Sequence, residues 1–410
     1  MLKKLILENW KSFRYAELPL DPLTVLIGTN ASGKSNVVEA LEFLRRIANG
    51  ENIETALAGD KTLPSLRGGV ELAARKGENE FTLKVLVGDE DDETDYLYVI
   101  KTQTIPQTQN IEEYIEYHSL TNNLEKSQVI KFDLQPPKPH NYSITKRTKS
   151  VDKRNCITEY SESEHSYLQQ LTFVQQSPQS FYREILKSIC ILCFNPIPSR
   201  MRDFSRLSEN IESDGSNIAG VLAGLPDDKK AEIENTLSEY LKDLPEGDIK
   251  KVWAEKVGRF GYDAMLYCQE EWKSGEIIEI DARSMSDGTL RFLAILTALL
   301  TRPEGSQIVI EEIDNGLHPS RAALLVKILK EIGSKRNIDI LLTTHNPALL
   351  DAFGPEIVPF VVVAHRDSET GESKLTLLED IDNFPKLFAS YSLGQMTTKG
   401  AIERSLSHGE

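Results

Sequence analysis

The sequence predicts an α/β protein with a parallel core sheet, an antiparallel β lobe and a helical insertion. Three observations predict it. The apolar stretch "LTVLIG" (23–28) runs into a glycine-rich turn and then into a helix-periodic segment. Two later apolar runs, "QIVIEEID" (307–314) and "IDILLTTH" (338–345), end in acids and in a histidine, as strands buried on both faces of a parallel sheet do. The chain between the first run and these two is β-patterned and then helix-patterned.

Residues 4–9 ("KLILEN") read as a strand, and "KSFRYAELPL" returns as the second arm of an antiparallel hairpin. After the glycine turn, Val37, Val38, Leu41, Leu44 and Ile47 recur at helical spacing, and Gly50 closes the helix. From about 66 to 132 the pattern is β: "FTLKVLV" alternates at 81–87, and "YLYVIKT" follows the acidic turn "GDEDDETD". Residues 133–165 hold Pro, Lys, Ser and Asn without periodicity and read as an irregular insertion. Residues 166–245 read as mostly helical, through "SYLQQLTFV", "SFYREILKSICIL", "NIAGVLAGL" and "DKKAEIENTLSEYLKDL". Strands follow at "KKVWAEKV", "DAMLYCQ" and "GEIIEID". The last third is expected to run helix (287–301), acidic strand (307–314), helix (319–333), strand (338–345), short helix from Pro347, and strand "IVPFVVVAHR". No internal repeat is visible, and the insertion is too short for a long coiled coil. The expected divisions are 1–65, carrying the glycine turn; 66–165, antiparallel lobe and irregular insertion; 166–245, helical insertion; and 246–410, the second part of the core.

Composition narrows the class. The longest apolar run, "FLAILTALL" (292–300), falls far short of the ~20 residues of a membrane helix and reads as a buried helix. The N-terminus has no signal-peptide pattern, so a cytoplasmic protein that does not engage a membrane is expected. "CILC" (190–193) lacks a second Cys pair or a nearby His, which favours buried small residues over a metal or redox site. A net charge of −16 excludes a whole-surface nucleic-acid binder. A local basic stretch at 126–154 reads either as a solvated loop or as a contact to DNA phosphates or to a partner.

The chemistry begins at "GTNASGKS" (28–35), which fits G-x-x-x-x-G-K-[ST] between a strand and a helix. Gly28 and Gly33 permit the tight turn, and the amides of 30–35 can face phosphates from a helix N-terminus. Lys34 would reach the β- and γ-phosphates, and Ser35 would ligate Mg²⁺. "IVIEEID" supplies the second half of a metal site. Glu311 is placed to bind Mg²⁺ directly or through water, and Glu312 to act as general base on the attacking water. His345 ends a parallel strand, at the edge where such sheets bind ligands, and can hydrogen-bond the γ-phosphate. In "SMSDGTLRFLAIL" (284–296), Ser286 and Gly288 precede an apolar helix. The plain reading is a helix N-cap by Ser286 or Asp287. The functional one is an anion site, which one subunit does not need but a nucleotide held by another subunit would.

Taken in order, "GTNASGKSN … SMSDGTLRFLAIL … IVIEEIDNGLHP … LLTTHNPALLD" resembles the ATP-binding-cassette ATPases, and more closely the soluble RecF/SMC/Rad50-like and OLD-like branch of AAA-type ATPases. The tail "SYSLGQMTTKGAIE" is similar to that of stand-alone bacterial members. The resemblance spans the first ~70 residues and about 200–404. It implies a P-loop head with an antiparallel lobe, and two ATP molecules sandwiched in a head-to-tail dimer or higher homo-oligomer. By motif it implies that Gly28, Thr29, Asn30, Ala31, Ser32, Gly33, Lys34, Ser35 and Asn36 form Walker A. Ser286, Asp287 and Gly288 become the signature, Glu311 and Glu312 Walker B, and His345 the switch histidine. "DNGLHP" (314–319) takes the place of the D-loop, and Gln175 or Gln176 that of the γ-phosphate sensor. The chain departs from the pattern at Asp287, where Gly is usual, at Thr289, where Gln or Glu is common, and at Glu311, where Asp is more usual. The implied activity is Mg²⁺-dependent ATP hydrolysis that switches a partner effector, a nuclease or toxin, in bacterial phage defence. The alternatives are a DNA-repair or chromosome ATPase that clamps DNA, and an ATP-sensing scaffold without turnover.

Overall fold

A computed structural model describes residues 1–88, 94–119, 129–133, 145–147, 178–194, 199–273 and 275–407. In chain order its elements are β1 (Leu2–Trp10), β2 (Phe13–Pro19), β3 (Leu23–Ile27), α1 (Lys34–Ala48) and α2 (Ile53–Ala58). Next come β4 (Glu80–Gly88), β5 (Thr94–Gln103), β6 (Gln109–Ser119), β7 (Val129–Asp133) and β8 (Thr145–Arg147). They are followed by α3 (Pro178–Ser188), β9 (Cys190–Cys193), β10 (Ser205–Arg206), α4 (Ile218–Gly224), α5 (Asp227–Lys242), β11 (Ile249–Val257), β12 (Asp263–Lys273) and β13 (Glu276–Asp281). The last third holds α6 (Asp287–Thr301), β14 (Gln307–Glu311), α7 (Ala322–Arg336), β15 (Asp339–Thr343), α8 (Pro347–Phe353), β16 (Val361–Arg366) and β17 (Ser373–Leu377). Helices α9 (Phe384–Ser390), α10 (Leu393–Thr398) and α11 (Ala401–Ser407) close the chain.

The chain forms two compact units, each assembled from separated segments. The first comprises Met1–Asp21, Asn30–Ile189 and Ala364–Leu375. Its sheet is antiparallel, in the order β8-β7-β6-β5-β4-β1-β2. Alternation in β1 sends Leu5 and Leu7 to the buried face, where they lie opposite Leu18 and Ala16 on β2 and Val85 and Leu83 on β4. Helix α1 buries Val37, Val38, Leu41 and Leu44, as its spacing predicts. Its Phe43 joins Trp10 and Phe81 in an edge-on aromatic cluster, with Trp10 and Phe81 centred 4.9 Å apart. Tyr98 on β5 stacks on Tyr182 of α3 at 4.5 Å.

The second unit comprises Pro22–Thr29, Cys190–Val363 and Thr376–Glu410. Its core is a parallel sheet, β16-β3-β15-β14-β9. Val25 and Leu26, Ile308 to Ile310, and Ile340 to Leu342 are buried, so these strands carry no polar face. Helix α6, apolar nearly all round, is buried along most of its length. A second, antiparallel sheet pairs β12 with β10, β11 and β13, and α4 and α5 pack on it.

Three expectations change. Residues 190–193 do not continue a helix: "CILC" is strand β9, with Cys190 opposite Ile308 and Cys193 opposite Glu311. A four-residue apolar run has no period to distinguish the two states, and the open edge of β14 decides it. Ile357 to Phe360 form a 3₁₀ turn, so the last core strand starts at Val361; Pro359 has no N–H for a ladder. The acidic strand stops at Glu311, because Glu312 turns into the left-handed region at φ 50°. "SYLQQLTFV", Gln175 and Gln176 lie outside the described residues, as does the basic stretch 126–154 except for the backbone of β7 and β8.

Candidate nucleotide-binding site

The glycine loop joins β3 to α1. Gly28 (φ 143°), Ala31 (φ 62°) and Gly33 (φ 113°) all take positive φ, a backbone that can gather successive N–H groups around an anion. Helix α1 begins at Lys34 with Gly33 as its cap and no side chain capping it, which suits its first turn to a phosphate. Thr29, Asn30 and Ala31 are exposed, Ser32 and Gly33 are buried, and Gly28, Lys34, Ser35 and Asn36 are half-buried. Ser32 Oγ has no hydrogen-bond partner among the described residues.

Within the first unit, the loop is held from behind. A Cβ on Gly33 would lie 2.8 Å from Phe13 Cζ and 2.9 Å from Ser373 Oγ. Trp10 Nε1 donates to the Asn36 carbonyl at 2.7 Å, and Asn36 Nδ2 donates to Ser12 Oγ at 2.7 Å. Ser373 Oγ reaches the same Ser12 hydroxyl at 2.7 Å. Arg366 Nε donates to the Ala31 carbonyl at 2.9 Å. Asn36 thus turns its side chain to the β1–β2 turn.

Within the second unit, three parallel strands end together. Thr343 lies opposite Leu26, and Leu342 opposite Ile310. The carboxyl edge of this sheet therefore gathers Gly28 and Thr29, Glu311 and Glu312, and the Thr343–His345 turn, where an α/β sheet binds its ligand. Glu311 and Glu312 are half-buried, and His345 is exposed. A glutamate at positive φ costs about 1–3 kcal/mol, so its surroundings must hold it. The Glu312 N–H donates to Thr343 Oγ1 at 2.8 Å, and Ile313 N–H to the Thr343 carbonyl at 3.1 Å. Asn315 N–H donates to the Glu312 carbonyl at 2.9 Å, and Asn315 Nδ2 to Glu312 Oε2 at 3.4 Å. Thr344 Oγ1 donates to Asp314 Oδ1 at 2.5 Å.

The Ser286–Gly288 turn belongs to the same unit. Ser286 is the N-cap of α6, its Oγ accepting from Thr289 N–H at 3.1 Å. The same Oγ is also hydrogen-bonded to Thr289 Oγ1 at 2.8 Å, and Ser286 is exposed. Arg202 grips this turn, donating to the Met285 carbonyl at 2.7 Å and to the Asp287 carboxylate. Arg291, one turn into α6, is 6% exposed and donates to the Asn315 carbonyl. Burial lowers the pKa of its guanidinium, while the carboxylates of Asp287 and Glu312 oppose the shift.

A family model described as "AAA domain, putative AbiEii toxin, Type IV TA system" matches residues 23–351. The chain belongs to that family. The matched span of this AAA domain runs from β3 to Asp351, and so contains the glycine loop, the Ser286 turn, Glu311, Glu312 and His345. No curated protein matches the chain. Among solved structures, an SMC head domain from Thermotoga maritima is similar at 14% identity, covering 92% of this chain and 98% of its own, with a TM-score of 0.45. An SMC head bound to the C-winged helix domain of ScpA is 14% identical, covering 92% and 96%, with a TM-score of 0.48. An Smc head with an extended coiled coil, bound to the C-terminal domain of ScpA and derived from Pyrococcus furiosus, is 13% identical, covering 95% and 99%, with a TM-score of 0.48.

Sequence reasoning missed the supporting residues of this AAA domain: Ser12, Ser373 and Arg366 at the loop, Arg202 at the Ser286 turn, and Thr343 and Arg291 around Glu312; Asn315 lay in the stretch 314–319 it singled out, but not as a partner of Glu312. Arg291 alone carried a signal, as the one charge inside the run "LRFLAIL".

Proposed function

We propose that this AAA domain binds and hydrolyses ATP, and that ATP binding closes a head-to-tail dimer or higher homo-oligomer. The observation that carries the reading is the shared carboxyl edge of β3, β15 and β14, where the loop strand, the two glutamates and His345 end side by side. Lys34 and the loop amides are assigned to the phosphates, and His345 to the γ-phosphate. Glu312 is assigned to take the proton of the attacking water as that oxygen bonds to phosphorus and the bond to ADP breaks. Ser286, Asp287 and Gly288 are assigned to a nucleotide in the partner subunit.

Among the described residues, no group of three or more His, Cys, Asp or Glu could hold a metal ion. Mg²⁺ keeps several waters and takes one or two protein oxygens plus phosphate oxygens, and the Ser35 hydroxyl and Glu311 carboxylate are donors of that kind. When bound, the ion would neutralise charge on the phosphates. Ser32 Oγ is a further fit, since a buried hydroxyl without a partner costs about 1–3 kcal/mol that a phosphate or water would relieve.

The output of the switch is a partner effector, a nuclease or toxin, in bacterial phage defence. The family description names a putative toxin and a Type IV toxin–antitoxin system, and that supports a toxin as the output. No described helix is long and apolar enough to cross a membrane. The test is Glu312→Gln: the variant keeps its affinity for ATP while kcat falls by about a hundredfold or more. Equal turnover by wild type and variant refutes hydrolysis through Glu312.

A further inference from the structure

We infer that Arg291 and Asn315 are positioning residues that tie the Ser286–Gly288 turn to Glu312 within one subunit. This rests on the reading of Glu312 as the base. The path is continuous. Arg291 lies on the first turns of α6, the helix that Ser286 caps, and its Nη1 donates to the carbonyl of Asn315. Asn315 in turn donates twice to Glu312, from its backbone N–H to the carbonyl at 2.9 Å and from Nδ2 to the carboxylate at 3.4 Å.

Two glycines make the approach possible. Gly316 has φ 73°, and a Cβ there would lie 3.1 Å from both Cζ and Nη1 of Arg291, so the guanidinium fills the space a side chain would need. Gly288 meets the same loop from the other side: its Cβ would lie 3.1 Å from the Gly316 carbonyl and 3.2 Å from Arg321 Nη1. Arg321 is itself buried and anchored to Glu246 at 3.2 Å. The turn assigned to the partner's nucleotide and the loop carrying this subunit's base are therefore neighbours, with little room for a side chain between them.

A buried arginine is a poor choice for packing alone. Arg291 Nε has no hydrogen-bond partner among the described residues, a desolvation cost a methionine would avoid. What the guanidinium provides is a fixed donor at the Asn315 carbonyl, and with it the rotamer and strained backbone of Glu312. A shift of the Ser286 turn when it meets a partner's phosphate is transmitted by this strut to the carboxylate.

The test is steady-state ATP hydrolysis by the full chain as wild type, Glu312→Gln, Arg291→Met, Arg291→Lys, Asn315→Ala and the double variant Glu312→Gln/Asn315→Ala, with ATP affinity from a fluorescent analogue. The strut predicts kcat lowered about ten- to a hundredfold in Arg291→Met and Asn315→Ala, at ATP affinity within about twofold of wild type. Arg291→Lys, which keeps one donor, recovers part of the rate. Asn315→Ala adds no further loss on Glu312→Gln, because both act through one group. If Arg291→Met does not fold, the Asn315→Ala cycle decides alone. Wild-type kcat in Asn315→Ala, or a loss fully additive with Glu312→Gln, overturns the strut and leaves the base intact. Wild-type kcat in Glu312→Gln overturns both.

Discussion

Gly33→Ala separates what a motif demands from what the tertiary structure demands. At φ 113° and ψ 1°, an alanine is held in a region L-residues avoid, at about 1–3 kcal/mol. Its Cβ would also lie 2.8 Å from Phe13 Cζ and 2.9 Å from Ser373 Oγ, closer than real Cβ contacts come. Phe13 is fully buried and cannot swing away, so this overpacking adds about 1–3 kcal/mol. The sum is about 2–6 kcal/mol, which at about 2–4 °C per kcal/mol lowers the melting temperature by at least ~4 °C. Relaxation of the loop to avoid the clash displaces the amides beside Lys34, so nucleotide affinity falls too. The assay is thermal unfolding of wild type, Gly33→Ala, Phe13→Leu and the double variant, with ATP binding measured on each. Shortening Phe13 removes its share of the clash, so the cycle gives a coupling energy of about 1–2 kcal/mol. A Gly33→Ala protein that melts within ~1 °C of wild type and binds ATP normally refutes the argument. A coupling energy near zero refutes the part assigned to Phe13.

Two further outcomes are expected. Burial raises the pKa of the Glu42 carboxyl, but Arg45 and Arg46 outweigh burial and hold it below the usual glutamate range. Its stabilisation is complete above the unfolded value of about 4.3 and is lost as pH falls through the lowered folded value. Glu42→Gln removes the counter-charge of the buried Arg46 guanidinium but leaves its bonds to the Ala56 and Pro64 carbonyls, so it costs about 1.5–3 kcal/mol at pH 7 and flattens the acid limb of the stability curve; an unchanged limb contradicts the assignment. Burial, then the charge of Glu270, pushes the Cys268 thiol up to about 12. Iodoacetamide at pH 8 should therefore leave Cys268 unlabelled in the native protein and label it after denaturation, read by peptide mass spectrometry; equal labelling in both states contradicts a protonated, buried thiol.

The legible parts of the fold were those with a strong local period or a strong boundary. Helix α1 follows from the spacing of Val37, Val38, Leu41 and Leu44, and α6 from an apolar run of helix length behind a Ser cap. Strands β3, β14 and β15 announce themselves as apolar runs bounded by Gly, Glu and His. Strand β9 was not legible, because its identity comes from the partner strand β14 and four residues carry no period. The place where β14 ends was not legible either: Glu312 continues an acidic run in sequence, and only Thr343 Oγ1 and Asn315 keep it in a left-handed turn.

The sequence by itself determined the chemistry on offer: a glycine turn before a helix, two glutamates and a histidine at strand ends, and a serine-led helix. Those depend on residue type and on neighbours a few positions away. The tertiary structure alone decided what holds them. Phe13 and Ser373 stand behind Gly33, from residues 20 and 340 positions away. Thr343 bonds the Glu312 amide from 31 positions away, and Arg291 reaches Asn315 from 24. Such contacts join segments distant in the chain, and a single chain read residue by residue holds no local signal for them.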